Sequence, residues 1–357
     1  MTFTLCMIVK DEEPRIERAL MSAVKAGVDS WCIVDTGSTD GTMDVVRRVM
    51  AEVELVGELH QRPFVDFGTN RTDLLQLAAR QERDHLVLLD ADQELVGDLL
   101  HVPEGLDALR IKQIHGSLAW WNPLLLRNRG VWRFVGRTHE YLEVEGRAVG
   151  TAEGLSIIHH GDGASRPEKH RRDLELLRRD LADDPDNVRV MFYLAQTLDE
   201  MGRGHEAIHW YDRRAKRHDG WDAERWMAQY RAALLASRCD WAEGQRRLWE
   251  AWDARPARSE PLHHLAGRFL ERGEWNLAYL AASQATTVQP EDLFVETWVY
   301  EYGIDVVRSL AAWRTGRVGE AKMVFERLAQ DPSVPQAERD AANRNLMFCP
   351  EGEDDGC

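Results

Sequence analysis

The chain has 357 residues, enough for two domains with cores of their own, and a formal net charge of −16 from 45 Lys and Arg against 61 Asp and Glu. This acidic balance argues against a protein built to bind nucleic acid, because such binding depends on Lys and Arg that neutralise phosphates. We therefore expect no nucleic-acid partner.

The cysteines and the N-terminus bear on the compartment. The five cysteines are scattered and lack the CxxC spacing of zinc sites or of a disulfide framework, which predicts reduced thiols. The first residues do not read as a signal peptide, and no apolar run approaches the ~20 residues that a membrane span requires. We expect a cytoplasmic protein without a transmembrane segment.

Strand and helix signals alternate through residues 1–92. Amphipathic helix patterns follow the apolar runs, and the first helix is predicted to begin near Pro14 and to stop at Gly27. This alternation predicts a mostly parallel α/β sheet with helices on both faces. The predicted strands are 3–9, 31–34, 53–59 and 86–89.

Two carboxylates, Asp90 and Asp92, follow the fourth strand directly. Side chains two apart on an extended segment face the same side, so both could face one Mg²⁺ or Mn²⁺, which prefers oxygen ligands and leaves room for a diphosphate. The alternative is a solvated turn in which an Asp caps a helix.

Other polar residues occupy comparable positions. Asp35 ends the second strand, where it either caps a loop or accepts hydrogen bonds from a nucleotide. Asn70 and Arg71 lie near a predicted helix N-terminus, a place that favours phosphate, although Arg71 could equally pair with Asp73.

Four motifs occur in order: LCMIVKDEE, IVDTGSTDGT, DFGTNR and LLDADQEL. Together they resemble the signature of family 2 glycosyltransferases with the GT-A fold, over residues 1–165. The resemblance implies a Rossmann-like α/β catalytic domain that transfers a sugar, with inversion, from a nucleoside-diphosphate donor, commonly UDP-linked, with Mn²⁺ or Mg²⁺ as cofactor. The second loop reads Asp-Thr-Gly where the family often has Asp-Asp-Gly, which leaves the base open.

The same resemblance assigns roles to single residues. It implies that Asp92 contacts the metal with a further ligand from His159, and that Asp90 contacts the ribose, while the spacing of the two carboxylates keeps Asp90 as a third candidate metal ligand. His159 fits the H-x-G pattern of the repeat-bearing branch of the family, whereas His160 falls on its variable position. The donor-binding residues that it implies are Val9, Asp11, Glu12, Asp35, Asn70, Arg71, Asp90 and Ala91.

The segment Arg127–Glu140 resembles the acceptor-facing part of that branch. Trp132 is expected to form a wall for a sugar ring, or else to be core. Glu140 is the preferred general base and His139 the second choice, against the alternative of a surface pair on a strand edge. Lys169 and Arg172 would meet the leaving diphosphate, or lie on a solvated helix face.

Beyond residue 166 helix formers dominate. Similar segments align at Ala207, Gly244, Ala278 and Ala321, with spacings of 37, 34 and 43 (244−207, 278−244, 321−278). This is close to the 34-residue tetratricopeptide (TPR) period and predicts an all-α repeat domain at 166–348, followed by an acidic disordered tail at 349–357. Its many tryptophans serve helix packing or a concave surface for a partner. A second copy of the chain, which would form a homodimer through this domain, is one such partner.

The leading hypothesis is a metal-dependent glycosyltransferase whose helical half helps to position an acceptor, either a peptide or protein or a small molecule. One alternative is a non-catalytic repeat scaffold with a degenerate transferase domain. A sugar-nucleotide pyrophosphorylase ranks lower, because the loop after the first strand, Lys10–Pro14, is acidic and has no glycine for a triphosphate.

Overall fold

The computed structural model describes residues 1–116, 118–162, 169–290 and 292–349. The chain forms two compact units, residues 1–186 and 187–357, whereas the sequence analysis set the boundary at 165/166, inside the segment 163–168 that is not described. The predicted tail lies outside the described residues except for Cys349, which is buried among the last helices.

The described residues of the first unit form strands and four α-helices. The strands are β1 (Phe3–Val9), β2 (Ser30–Asp35), β3 (Gly57–Gln61), β4 (His85–Leu88), β5 (Gln93–Val96), β6 (Ala108–His115), β7 (Leu118–Arg127), β8 (Phe134–Val135), β9 (Tyr141–Leu142) and β10 (Val149–His159). The helices are α1 (Ile16–Ala26), α2 (Thr42–Glu52), α3 (Phe67–Ala78) and α4 (Lys169–Asp183).

Eight strands form one sheet in the order β3-β2-β1-β4-β7-β6-β10-β5, and β8 and β9 form a separate pair. Strands β1 to β4 pair in parallel, as predicted, whereas β7 runs antiparallel to both β4 and β6. Side chains that alternate along β1 enter two different cores: Leu5 and Met7 pack with α1 and α2, and Cys6 packs with α3. Helices therefore cover both faces, and the mostly parallel sheet is confirmed.

The third strand differs from its prediction. β3 begins at Gly57 rather than at Val53, because α2 runs to Glu52 and Val53 closes its last turn. Gly57 pairs with Trp31 of β2, and a Cβ at residue 57 would lie 2.4 Å from the Trp31 ring. Only glycine leaves room for that ring, which an apolar pattern does not reveal.

The second unit is helical throughout its regular structure. Each helix packs against the next one along the chain, as in TPR-like arrays. None of its helices, nor any other in the described part of the chain, combines the length and apolar character needed to cross a membrane. Its helices are α5 (Val188–Glu200), α6 (Gly204–Ala215), α7 (Asp222–Cys239), α8 (Trp241–Ala254), α9 (Glu260–Glu271), α10 (Trp275–Gln284), α11 (Ile304–Arg314), α12 (Val318–Gln330) and α13 (Gln336–Leu346).

The aligned small residues occupy equivalent places in this unit. Ala207, Gly244, Ala278 and Ala321 lie on α6, α8, α10 and α12, the second helix of each pair, and all are buried. The long last interval is taken up between α10 and α11, by irregular chain and a π-helical turn at Val299–Gly303.

Gly244 is expected to resist replacement by alanine. A Cβ at residue 244 would lie 2.2 Å from the Cα of Ser237 on α7, so Gly244→Ala should cost about 1–3 kcal/mol by overpacking despite the better helix propensity of alanine. The matched control is Gly267→Ala in α9, where no atom lies within 4 Å of the new Cβ, and which should gain up to about 1 kcal/mol. Thermal unfolding of both variants checks this, and equal effects would contradict a close contact at residue 244.

Candidate functional site

The ends of β1, β2 and β4 lie at one edge of the sheet, because the three strands are parallel and adjacent. The predicted site residues follow these strands in the sequence. At the same edge lie the turn Ala91–Asp92 that joins β4 to β5, the end of β10, and the loop between β8 and β9. These segments form the candidate site.

Arg71 joins two of the predicted site residues. Its Nη2 donates to Asp90 Oδ1 at 2.7 Å and its Nε donates to Glu140 Oε1 at 2.7 Å. Burial alone would lower the pKa of Arg71, but the two carboxylates outweigh burial and the pKa is raised. The predicted pairing of Arg71 with Asp73 is replaced by this bridge, which holds Asp90 and Glu140 on one guanidinium.

Glu140 lies in the loop between β8 and β9 rather than on a strand edge. Burial raises the pKa of its carboxyl, and the Arg71 charge opposes that shift. His139 precedes it with a backbone φ of 50°, in the left-handed region that a non-glycine residue rarely adopts. A carboxylate with a raised pKa is a better proton acceptor at neutral pH, which suits the predicted base.

The loop that carries Glu140 is held on two sides. The Phe67 N–H at the start of α3 donates to the Arg137 carbonyl at 2.9 Å. On the other side, the Arg137 guanidinium donates to Asp180 at 2.6 Å and to Asp183 at 2.7 Å, both on α4. The sequence analysis missed this support, because the partners lie more than forty positions apart and follow no local pattern.

Asp92 stands apart from the other acids at this edge. Burial raises the pKa of its carboxyl, Asp90 raises it further, and His159 opposes the shift. Among the described residues no other side chain forms a hydrogen bond or an ion pair with this carboxylate, whose own backbone N–H is its one such partner. A half-buried carboxylate whose ionised form is disfavoured by burial, and which no other side chain of the described residues bonds, is a candidate ligand for a cation.

His159 ends β10 next to Asp92. Its Nε2 lies 2.8 Å from Gln113 Oε1, and its ring lies 5.2 Å from the Trp120 ring. Burial lowers the pKa of His159 although Asp92 and Asp90 oppose the shift, so the ring is neutral at neutral pH. His160 instead lies 3.0 Å from Glu94 through its Nε2, which supports His159 as the histidine of the site.

The predicted metal ligands fit a divalent ion in part. Both carboxylate oxygens of Asp90 already accept hydrogen bonds, Oδ1 from Arg71 and Oδ2 from Gln93 at 3.1 Å. No group of three or more His, Cys, Asp or Glu side chains in the described ranges is arranged to hold a metal ion. Asp92 and His159 could supply two ligands, and Mg²⁺ is commonly held by one or two protein groups together with phosphates and water.

The loops after β1 and β2 use their acids to hold each other. Asp11 Oδ1 accepts from the Thr39 N–H at 2.7 Å, and Glu12 pairs with Arg15. Asp35 is fully buried and accepts from the N–H groups of the two residues Gly37 and Ser38. Direct contact of Asp35 with a base does not fit this burial, and the same holds for the core residues Val9 and Ala91.

Asn70 also departs from its predicted role at the donor. It is 1% exposed, and its amide accepts from the Val65 N–H and donates to the Pro63 carbonyl, so it shapes the loop before α3. The N-terminus of α3 is capped by Asp66, which accepts from the Thr69 N–H at 2.7 Å. A carboxylate already occupies the place expected for a phosphate.

Two more predicted roles do not fit the structure. Trp132 is 3% exposed and donates to the Arg127 carbonyl at 2.7 Å, so it is core rather than an acceptor wall. The Arg172 guanidinium lies 4.9 Å from the Phe67 ring and bonds Asp173, so its described contacts tie α4 to α3 rather than marking a diphosphate site. Lys169 is exposed at the start of α4, so its predicted role stays open.

Two residues near Asp92 were not predicted. The Trp120 ring packs against the His159 ring. In the sequence, Trp120 is only one of two adjacent tryptophans in a strand, and nothing there indicates this contact. Arg18 on α1 interacts electrostatically with Asp92 and forms a two-point ion pair with Asp162 at 2.9 and 3.0 Å. The sequence analysis did not single out Arg18, because its proximity to Asp92 depends on the tertiary fold.

Comparison with known proteins gives distant relatives, and no family model matches the chain. A TPR repeat-containing protein of Synechococcus elongatus is 29% identical over 318 residues, covering 80% of this chain and 75% of that protein. The second unit has 171 residues (187 to 357), less than half of the chain, so this match extends into the first unit. The prophage-derived glycosyltransferase SunS of Bacillus subtilis is 25% identical over 224 residues, covering 58% of this chain and 51% of SunS, about half its length.

Solved structures with helical repeats overlay on about half of the chain. MamA gives a TM-score of 0.35 at 16% identity, covering 51% of this chain and 95% of MamA. A tetratricopeptide repeat protein from Parabacteroides merdae gives 0.38 at 13% identity, covering 51% of this chain and 69% of that protein. These scores are low, and the TPR-like character of the second unit rests on its own helix pairs and on the Synechococcus relative.

Asp92→Asn is expected to stabilise the fold at neutral pH. A carboxyl whose pKa is higher in the folded than in the unfolded chain destabilises the fold once it is ionised, and the amide removes that charge. The gain should shrink as the pH falls through the raised folded pKa and vanish below the ordinary value of 3.8, where Asp92 is neutral in both states. Urea unfolding at a series of pH values measures it.

The matched control is Asp90→Asn, which should lower stability by roughly 1 kcal/mol or less. It removes the charge opposite Arg71, and the partial exposure of Asp90 limits the loss. If Asp92→Asn lowered stability as Asp90→Asn does, the Asp92 carboxylate would have a stabilising partner, contrary to its described surroundings.

Proposed function

We propose that the chain is a glycosyltransferase that moves a sugar from a nucleoside-diphosphate donor, as in the GT-A enzymes that its sequence resembles. A UDP-linked sugar is the first donor to test. The observation that carries the proposal is the Asp92 carboxylate, half-buried at a strand end, beside His159 and the Asp90–Arg71–Glu140 bridge. The similarity to SunS, a glycosyltransferase by name, supports the same class.

In this proposal Asp92 and His159 hold Mn²⁺ or Mg²⁺ against the donor diphosphate. When bound, such an ion supplies Lewis-acid stabilisation of the charge that develops on the departing diphosphate. Asp92 suits this role because a cation would offset the cost that burial places on its ionised carboxylate. Asp90 would orient the donor from its fixed place on Arg71 and Gln93.

Glu140 is the proposed general base. As the acceptor nucleophile bonds to the anomeric carbon and the bond to the diphosphate oxygen breaks, the acceptor proton moves to the Glu140 carboxylate. Arg71 fixes the Oε1 oxygen of that carboxylate. The position of the carboxylate depends on the loop that Arg137 ties to α4.

The second candidate is a non-catalytic scaffold built on the TPR-like unit. The Synechococcus relative favours it, because that protein is named for its repeats and matches most of the chain. The two candidates differ in what the first unit binds. A peptide, protein or small molecule fits either candidate as the partner of the second unit.

Calorimetry with UDP and Mn²⁺ separates the two candidates. The enzyme should bind UDP with a heat that depends on Mn²⁺ and that is lost in Asp92→Asn, since this variant removes the proposed ligand charge. The circular dichroism spectrum of the variant should match the wild type. A complete absence of metal-dependent heat in the wild type would favour the scaffold.

Turnover of a panel of nucleotide sugars, read as released nucleoside diphosphate, then tests the base. Glu140→Gln should lower kcat by about 10²–10⁴-fold with little change in UDP binding, because the amide still accepts from Arg71 but takes up no proton. The matched control is Glu143→Gln, three residues on in an exposed pair with Arg133, which should turn over like the wild type. Equal activity of Glu140→Gln and the wild type would remove Glu140 as the base.

A further inference from the structure

Gln113 is a buried polar side chain directly behind the candidate site. It lies on β6, is 1% exposed, and its Oε1 lies 2.8 Å from His159 Nε2. Its Nε2 donates to the Ile111 carbonyl at 3.3 Å. A carbonyl only accepts, so the amide nitrogen must face Ile111 and the amide oxygen must face His159.

This orientation decides which nitrogen of His159 carries the proton. An amide oxygen is an acceptor, so His159 Nε2 must be the N–H donor of that hydrogen bond. A neutral imidazole carries one proton, which leaves Nδ1 with a free lone pair. A metal binds the lone pair of a neutral ring, so the Gln113 contact determines which nitrogen can bind one.

The rings around His159 restrict it further. Trp120 lies 5.2 Å from the His159 ring at a tilt of 39°, and His115 lies 6.1 Å away at 48°. Asp92 interacts electrostatically with His159. The ring is therefore fixed at Nε2 and flanked by aromatic groups.

We propose that Gln113 is a positioning residue that fixes the tautomer of His159, so that Nδ1 is the atom available to a divalent ion shared with Asp92. The inference rests on the metal role in the proposed function and deepens it. Hydrogen-bond partners behind a histidine ligand typically contribute about 10–100-fold to metal affinity. A purely structural Gln113 would contribute to folding without that effect.

The first measurement needs no metal. Long-range ¹H–¹⁵N correlation spectra of protein labelled at histidine report which ring nitrogen is protonated, and His159→Gln assigns the signal. The wild type should show His159 protonated at Nε2. Gln113→Met, which keeps the length of the side chain but removes the acceptor, should shift His159 towards the other tautomer or a mixture.

The second measurement is Mn²⁺ binding in the presence of UDP, read as the loss of the free Mn²⁺ signal in electron paramagnetic resonance. Gln113→Met should weaken Mn²⁺ binding by about 10–100-fold. Gln113→Glu retains an acceptor at the same place and should restore both the tautomer and most of the affinity. His160→Gln, at the neighbouring histidine that faces Glu94, should bind Mn²⁺ like the wild type.

Several results would overturn the inference. A wild-type His159 protonated at Nδ1 would do so, as would Gln113→Met with unchanged tautomer and Mn²⁺ affinity, or a loss of affinity in His160→Gln. A wild type with the expected tautomer and no Mn²⁺ binding would overturn the metal role of the proposed function and this inference together. If Gln113→Glu fails to fold, the wild-type spectrum and Gln113→Met still decide the question.

Discussion

The bridge from Asp90 through Arg71 to Glu140 is the interaction on which the geometry of the candidate site depends. One guanidinium on α3 holds a residue that follows β4 and a residue in the loop between β8 and β9. Burying such charges is costly unless each has a partner, and replacement of one member leaves the others uncompensated. The planar guanidinium also fixes direction, so Asp90 and Glu140 cannot move independently of each other. The main contribution of these three residues is therefore the fixed position of the two carboxylates rather than the stability of the fold.

The acids around the bridge fall into two groups. Asp11, Asp35 and Asp66 each accept hydrogen bonds from backbone N–H groups and hold turns or a helix start in place. Their charges are compensated within the loops that they shape. Among the described residues Asp92 accepts from its own backbone N–H alone, and burial works against its ionised form. The fold therefore leaves one carboxylate in a state that a bound cation would relieve, and this difference distinguishes a candidate ligand from acids that serve the fold.

Sequence patterns located this edge of the sheet but did not orient its side chains. Apolar runs gave the strands, and parallel strands bring their ends together, so the neighbourhood of Asp35, Asp90 and Asp92 followed from the pattern. The direction of each side chain depends on partners that are remote in sequence. Asn70 and Trp132 both donate to backbone carbonyl groups. No local signal gives the contacts between Arg71 and Glu140, or between Gln113 and His159, which are 69 and 46 positions apart.

The second unit was easier to predict, because its period reflects a local constraint. Paired helices approach most closely at one small residue per repeat, and Gly244 replaces alanine where a Cβ would reach the backbone of the preceding helix. The last interval is longer because chain is inserted between α10 and α11, outside the paired helices. The period therefore records how helices pack and carries no information about a partner. What the second unit binds must depend on residues that packing leaves exposed, such as Trp221, and the period does not specify these residues.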